Sequence, residues 1–150
     1  MPNVSFSQYG VTEVLRHLKN STSPGPDEIS QRVLKETANE VSLPLCLLFN
    51  KSMRQGVLPE DWKKANVVPI YKNGPKDQPG NYRPISLTSV VVRVMERIIK
   101  ERMLFHLKTN KLINPSQHGF LPKKSTSTNL VAYIDYLTAN LDKGNPIDVL

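Results

Sequence analysis

Residues 65–88 read ANVVPIYKNGPKDQPGNYRPISLT and hold the clearest structural pattern in the chain. Ala65–Lys72 is rich in β-branched residues and leads into a segment with two glycines and two prolines, which is typical of a turn. Tyr82–Thr88 then has the composition of a return strand. The pattern predicts a β-hairpin with a long loop. Pro69 and Pro84 lack a backbone N–H, so we expect edge or bulged strands.

Helical spacing of apolar residues predicts helices on both sides of this hairpin. Acidic residues are favoured at a helix start, proline is tolerated in a first turn, and glycine is typical just after a helix end. The predicted helices lie around Val11–Leu18, from Asp27 and Glu28 to Leu34, from Pro44 to Gln55 before Gly56, from a cap at Thr88 or Ser89 to about Leu107, and around Leu130–Leu141 before Gly144. Ile147–Leu150 is predicted to begin a buried strand. The predicted fold class is therefore α+β and helix-rich.

The overall composition is that of a folded chain: 150 residues, of which 39% are hydrophobic and 22% are charged. This length suits a single domain. No apolar run approaches the roughly 20 residues of a membrane helix, and the N-terminus lacks the pattern of a secretory signal. The one cysteine, Cys46, forms neither an intramolecular disulfide nor a cysteine-based zinc site by itself. These features favour a soluble intracellular chain with no membrane partner.

The net charge of +7 is concentrated in the middle of the chain. Residues 51–111 hold 13 Lys/Arg against 5 Asp/Glu. A basic block of this size indicates a polyanionic partner, with nucleic acid favoured over an anionic membrane surface. The long helix predicted to end near Leu107 has a basic face that is turned either to phosphate or to solvent. Its cations are Arg93, Arg97, Lys100 and Arg102. A solvated basic surface is the alternative to a nucleic-acid interface.

The candidate chemistry lies in the hairpin rather than in a familiar catalytic motif. The sequence has no Walker phosphate loop, no G-x-S-x-G elbow and no H-E-x-x-H motif. Asp148 is the only carboxylate on a predicted strand, and one carboxylate cannot hold two metal ions. Lys72 ends one strand and Arg83 begins the next, so a point charge and a bidentate fork could converge on a polyphosphate. The alternative is a pair of exposed cations without a ligand.

Four sequence blocks resemble, in their order, the fingers region of non-LTR (LINE-type) retrotransposon reverse transcriptases. The blocks are Ser23–Asp27, Trp62–Lys72, Asn81–Ser89 followed by a helix with Glu96 and Arg97, and Gln117–Thr126 followed by a helix. The resemblance covers roughly residues 20–150 and is closest to the jockey- and Chicken-Repeat-like elements of animals. It makes residues 1–22 a helical lead-in and residues 23–150 a partial reverse transcriptase domain, with the fingers and the start of the palm.

This resemblance implies a right-hand polymerase that copies RNA into DNA with two magnesium ions. By position, Lys72 and Arg83 match the fingers residues that contact the triphosphate of the incoming nucleotide. Gln117, Gly119 and Phe120 fall in the block that lies near the template. The implied partners are an RNA template, a DNA primer and deoxynucleoside triphosphates.

Contacts to the nucleic-acid backbone are assigned to Arg97 and Lys100, because they lie on the basic face of the long helix. The family's catalytic aspartates have no counterpart here: one follows the strand that begins near Val149, and a second pair lies much further along in a Tyr-x-Asp-Asp block. Asp148 precedes the first position and is not assigned a catalytic role. We therefore expect a fragment that lacks the rest of the palm and the thumb. This fragment should hold no Mg²⁺ and should be inactive alone, because the metal belongs to the complete enzyme.

Two other hypotheses stay open from the sequence. A non-enzymatic RNA-binding module, or a retrotransposon remnant, would use the same basic face without catalysis. A helical DNA-binding protein is disfavoured, because no short helix-turn-helix with a polar recognition helix is apparent.

Overall fold

A computed structural model of the chain describes residues 4–19 and 23–148. The chain forms two compact units, Met1–His106 and Leu107–Leu150, and each is described by itself. Both helices and strands are present, and the α+β prediction is confirmed.

The first unit begins with three helices packed around a shared apolar core. These are α1 (Gln8–Arg16), α2 (Gln31–Glu36) and α3 (Ala38–Gln55), and α1 packs mainly against α3. The ring of Phe49 is fully buried at the centre, with its centroid 5.3 Å from that of Phe6 and 5.9 Å from that of Trp62. The helix predicted near the N-terminus therefore shares a core with α3. The domain boundary predicted at residue 22 stays a prediction.

Two predicted helix starts are wrong. Asp27 and Glu28 lie in a turn before α2, whose N-cap is Ser30, and the Ser30 hydroxyl accepts a hydrogen bond from the amide of Val33 at 3.2 Å. The third helix begins at Ala38 rather than Pro44, so this proline lies inside α3. Pro44 has no backbone N–H to donate, but the helical turns on either side of it are packed into the core and keep the helix continuous.

The hairpin consists of β1 (Ala65–Tyr71) and β2 (Tyr82–Thr88), which pair antiparallel in a two-stranded sheet. Pro69 lies directly opposite Pro84, so the two residues without an N–H share one position of the ladder. Both strands have a free edge within the described residues, which confirms the prediction of edge strands.

The hairpin meets the helices at the junction between β2 and the next helix, α4 (Val90–Thr109). Gly25 is buried against this junction: a Cβ on Gly25 would lie 2.6 Å from the carbonyl carbon of Thr88 and 2.6 Å from the amide nitrogen of Ser89. The Ser89 hydroxyl donates to the Asp27 carboxylate at 2.5 Å and accepts from the amide of Val91 at 3.2 Å. We call this contact between residues 24–27 and residues 88–89 the junction clamp.

Helix α4 buries one face in the core of the first unit. Its buried side chains are Val90, Val91, Val92, Val94, Met95 and Ile98. Ser89 takes the capping role that the sequence predicted for Thr88 or Ser89. Burial along this helix ends at Ile98 and Ile99, and Met103 is exposed.

The second unit contains α5 (Thr126–Leu141), which begins with a capping box between Ser125 and Thr128. Gly144 follows the helix with φ 71°, a conformation that favours glycine. The predicted helix is confirmed, but none of its residues is buried, and Leu130, Ile134 and Leu141 are exposed. Ile147 and Asp148 are irregular instead of strand, and Val149 and Leu150 lie outside the described residues. No helix in the described part of the chain is both long and apolar enough to cross a membrane.

The junction clamp predicts a strong difference between two glycine substitutions. Gly25→Ala forces a methyl group against backbone atoms of Thr88 and Ser89, and should lower the free energy of unfolding by about 1–3 kcal/mol. The matched control is Gly80→Ala, where no atom lies within 4 Å of the added Cβ and the change should stay within about 0.5 kcal/mol. Urea denaturation followed by Trp62 fluorescence measures both. Equal stability of the two variants would contradict the clamp.

Candidate functional site

The strand register places the two hairpin cations on one face of the sheet. Arg83 is the ladder partner of Ile70, and the amide of Lys72 donates to the carbonyl of Asn81 at 2.8 Å, which extends the ladder by one residue. Side chains alternate between faces along a strand, so Lys72 lies on the same face as Ile70 and Arg83. The predicted convergence of a lysine and an arginine is thus allowed by the register.

Both cations are exposed, and neither forms an ion pair with any described residue. The nearby lysines differ, since Lys63 pairs with Glu60 at 2.5 Å and Lys64 with Asp61 at 3.0 Å. The hairpin face therefore presents one ammonium and one guanidinium group whose donors are open to an anion.

The opposite face of the hairpin braces the loop. The rings of Tyr71 and Tyr82 pack edge to face with centroids 5.7 Å apart. The Tyr71 hydroxyl donates to the carbonyl of Gly74 at 2.5 Å, and the Tyr82 hydroxyl donates to the carbonyl of Lys76 at 2.8 Å. Asn81 adds a side-chain bond to the carbonyl of Pro75 at 2.7 Å. These braces hold the backbone of the loop that joins the two cations. The role of Tyr71 was missed in the sequence, because it depends on the loop conformation.

A second group of predicted site residues lies in the turn before α5. Gln117 donates through its side-chain nitrogen to the carbonyl of Gly119 at 3.1 Å. Phe120 has φ 61° and is 100% exposed. A left-handed backbone disfavours a bulky residue by roughly 1–2 kcal/mol, and an exposed phenyl ring gains nothing from core packing. Strain together with an exposed aromatic ring is typical of a binding surface.

The turn is tied to the start of α5 through a histidine that the sequence did not single out. Nδ1 of His118 lies 2.9 Å from the hydroxyl of Thr128. The same hydroxyl donates to the carbonyl of Ser125 at 2.9 Å and accepts from its amide at 2.9 Å. A groove of about 330 Å³ runs beside it; its lining residues are His118, Gly119, Phe120, Lys124, Ser125, Thr126 and Asn129. His118 therefore positions the turn, and Lys124 adds a cation to the groove.

The predicted backbone contacts lie on the outer face of α4. Arg97 and Lys100 are exposed and line a groove of about 510 Å³. The guanidinium of Arg97 is 3.2 Å from the carboxylate of Glu101, so this arginine is partly neutralised. Arg93, which the sequence also places on this basic face, lines the same groove.

A site for divalent metal ions is not formed by the described residues. No three His, Cys, Asp or Glu side chains within residues 4–19 and 23–148 lie close enough together to hold one ion. Asp148 is exposed and irregular. These side chains do not fit a two-metal centre. Cys46 is buried and its thiol donates to the carbonyl of Phe6 at 3.2 Å, which is a packing role.

The region that matches a known family begins near the end of β1 and ends after α5. The family model described as reverse transcriptase (RNA-dependent DNA polymerase) matches residues 70–145, about half of the chain. The chain belongs to the reverse transcriptase family. All seven predicted site residues lie inside the region that matches this family.

Similar proteins come from Drosophila melanogaster retrotransposons. The probable RNA-directed DNA polymerase from transposon X-element is 30% identical over 143 residues, which is 95% of this chain and 16% of that protein. The corresponding protein from transposon BS is 32% identical over 77% of this chain and 13% of its own length. The polymerase of mobile element jockey is 30% identical over 84% of this chain and 14% of its own length. The chain spans about one sixth or less of these relatives, and the resemblance to LINE-type reverse transcriptases is confirmed.

The capping box predicts that Thr128 holds the turn of this reverse transcriptase segment. Thr128→Val removes a hydroxyl that contacts both Ser125 and His118, and should lower the local stability of α5 by about 1 kcal/mol. The control is Thr138→Val on the same helix, at an exposed position. Amide hydrogen exchange of α5, resolved by residue, measures both variants. Unchanged exchange in the first turn of α5 after Thr128→Val would contradict this role.

Proposed function

We propose that this chain supplies the fingers region of a retrotransposon reverse transcriptase, the enzyme class that polymerises DNA on an RNA template. The observation that carries the proposal is the hairpin face with two unpaired cations, Lys72 and Arg83. Membership in the family supports it, as do relatives named as RNA-directed DNA polymerases. The palm and the thumb belong to the remainder of the longer polypeptide, and the 150-residue chain alone is inactive.

Lys72 and Arg83 bind the triphosphate of the incoming deoxynucleotide. The ammonium group of Lys72 attracts the phosphate oxygens as a point charge. The guanidinium group of Arg83 orients one phosphate through two parallel hydrogen bonds. Each charge-assisted bond is worth about 1.5–3 kcal/mol. The bracing tyrosines hold the loop backbone, so little backbone order has to be gained on binding.

The turn before α5 contacts the template. The exposed ring of Phe120 offers a flat apolar surface to a base, and stacking of this kind contributes about 1–3 kcal/mol per base. Gln117 and Gly119 form the bonded turn that holds the ring outward. Because any base can stack, this contact carries little sequence preference.

Arg97 and Lys100 contact the phosphate backbone of the RNA template or DNA primer. Reverse transcriptases generally use divalent metal ions, and we propose Mg²⁺ for the complete enzyme, held by carboxylates outside the described residues. An enzyme that copies RNA and inserts DNA acts in the cytoplasm and nucleus, and no membrane partner is required.

RNA binding by the chain tests this assignment. Labelled single-stranded RNA should bind with little sequence preference, and log affinity should fall linearly with log salt by about 0.7 per phosphate contacted. The double substitution of Arg97→Gln and Lys100→Gln should reduce this slope by about 1.4. The matched control removes the same charge through Lys72→Gln and Arg83→Gln, and should change the slope less, because these residues bind triphosphate.

Two results would contradict the proposal. A salt-independent affinity would show that phosphate contacts do not drive binding. Equal salt slopes for the two double variants would show that RNA affinity depends only on the net charge of the chain. The α4 cations would then be ordinary surface groups. RNA binding that persists in a longer polypeptide without polymerase activity would favour the non-enzymatic module.

A further inference from the structure

Three cations form a single stripe along the outer face of α4. Arg93, Arg97 and Lys100 are spaced by four and three residues, which puts them on one side of a helix. The rise from the first to the last is about 10 Å. All three line the groove of about 510 Å³, together with Glu96, Glu101 and Leu104. The groove therefore follows the helix and carries more positive than negative groups.

Arg93 differs from the other two cations because its charge is partly buried and unpaired. Its Nε and Nη2 atoms are shielded from solvent and have no hydrogen-bond partner. By comparison, Arg16 pairs with Glu13 and Asn39, and Arg97 pairs with Glu101. A guanidinium group without an acceptor loses hydration and gains nothing in exchange, so the free chain is destabilised at this point.

The carboxylates of the groove do not compensate this charge. Glu101 is engaged by Arg97, and Glu96 is exposed and makes no ion pair with Arg93. The third guanidinium nitrogen, Nη1, is not among the shielded atoms. An anion in the groove can therefore reach Arg93 through Nη1 and offset the charge of the whole group.

We propose that Arg93 anchors a phosphodiester of single-stranded nucleic acid in this groove, with Arg97 and Lys100 contacting the phosphates that follow. A row of cations along one helix face matches a polymer that carries a charge at every repeat. A ligand with a single carboxylate would occupy only one of these cations. The inference rests on the proposed function, which assigned nucleic-acid backbone to the other two cations. It adds Arg93 as the residue that anchors this contact.

The test compares Arg93→Met with Arg32→Met, which removes the same charge from an exposed position on α2. RNA affinity is measured by fluorescence anisotropy as a function of salt. Arg93→Met should weaken binding about ten-fold or more and reduce the salt slope by about 0.7, while Arg32→Met should change the affinity less than about two-fold. Arg93→Lys keeps the charge but not the position of Nη1, so it should keep the slope and lose part of the affinity.

Thermal unfolding with inorganic phosphate, at constant ionic strength, provides a readout without RNA. Saturating phosphate should raise the melting temperature of the unsubstituted chain and of Arg32→Met by about 2–4 °C. Arg93→Met should melt no lower than the unsubstituted chain without phosphate, because an unpaired buried charge is gone, and phosphate should not stabilise it.

The outcomes separate the inference from the proposed function. Salt-dependent RNA binding with equal affinities for Arg93→Met and Arg32→Met overturns the anchor and leaves the proposed function standing. Absence of RNA binding, with phosphate still stabilising through Arg93, overturns the proposed function and supports an anion site for a different phosphate source. No response to either ligand overturns both.

Discussion

The contact between residues 24–27 and the end of β2 is the constraint on which the first unit depends. A two-stranded sheet has little core of its own, so its orientation relative to the helices must be fixed where it joins them. Because Gly25 has no side chain, its backbone lies directly against that of Thr88 and Ser89. Asp27 then accepts a hydrogen bond from the Ser89 hydroxyl. The same hydroxyl caps α4. One small contact thus fixes the turn, the root of the hairpin and the start of the long helix.

The chemistry of the hairpin follows from this placement and from its register. With the root fixed, the strands extend with both faces exposed, and the side-chain alternation separates cations from tyrosines. The tyrosine face stabilises the loop, and the cationic face keeps its donors available. A shift of the register by one residue would move the side chains of one strand to the other face. The proposed site therefore depends on the register in which Pro69 lies opposite Pro84.

Local patterns were sufficient to predict the hairpin, α4 and α5, because each has a clear period and clear end signals in the sequence. The start of α3 was missed because Pro44 was read as a first-turn residue, whereas the core holds the helix through it. Asp27 was misassigned for a related reason: its partner Ser89 is 62 residues away, and only the tertiary fold brings the two together. The stripe of α5 predicts a buried face, yet the described residues of its unit leave that face exposed.

The site residues likewise divide into those that a local sequence pattern can indicate and those that depend on the tertiary fold. Lys72 and Arg83 were predicted because strand ends can be read from sequence, and Phe120 was predicted from family resemblance. The unpaired nitrogens of Arg93 and the contact of His118 with Thr128 depend on burial and on turn geometry, which no local pattern contains.

We propose that the cationic face of the hairpin binds triphosphate. The most direct measurement is a titration of the ¹⁵N-labelled chain with deoxythymidine triphosphate in magnesium-free buffer at constant ionic strength, followed by amide chemical shifts. The account predicts saturable shifts centred on Lys72, Arg83 and their ladder partners, lost in Lys72→Gln with Arg83→Gln. Shifts centred on other cations, or shifts that persist in this double variant, would contradict it.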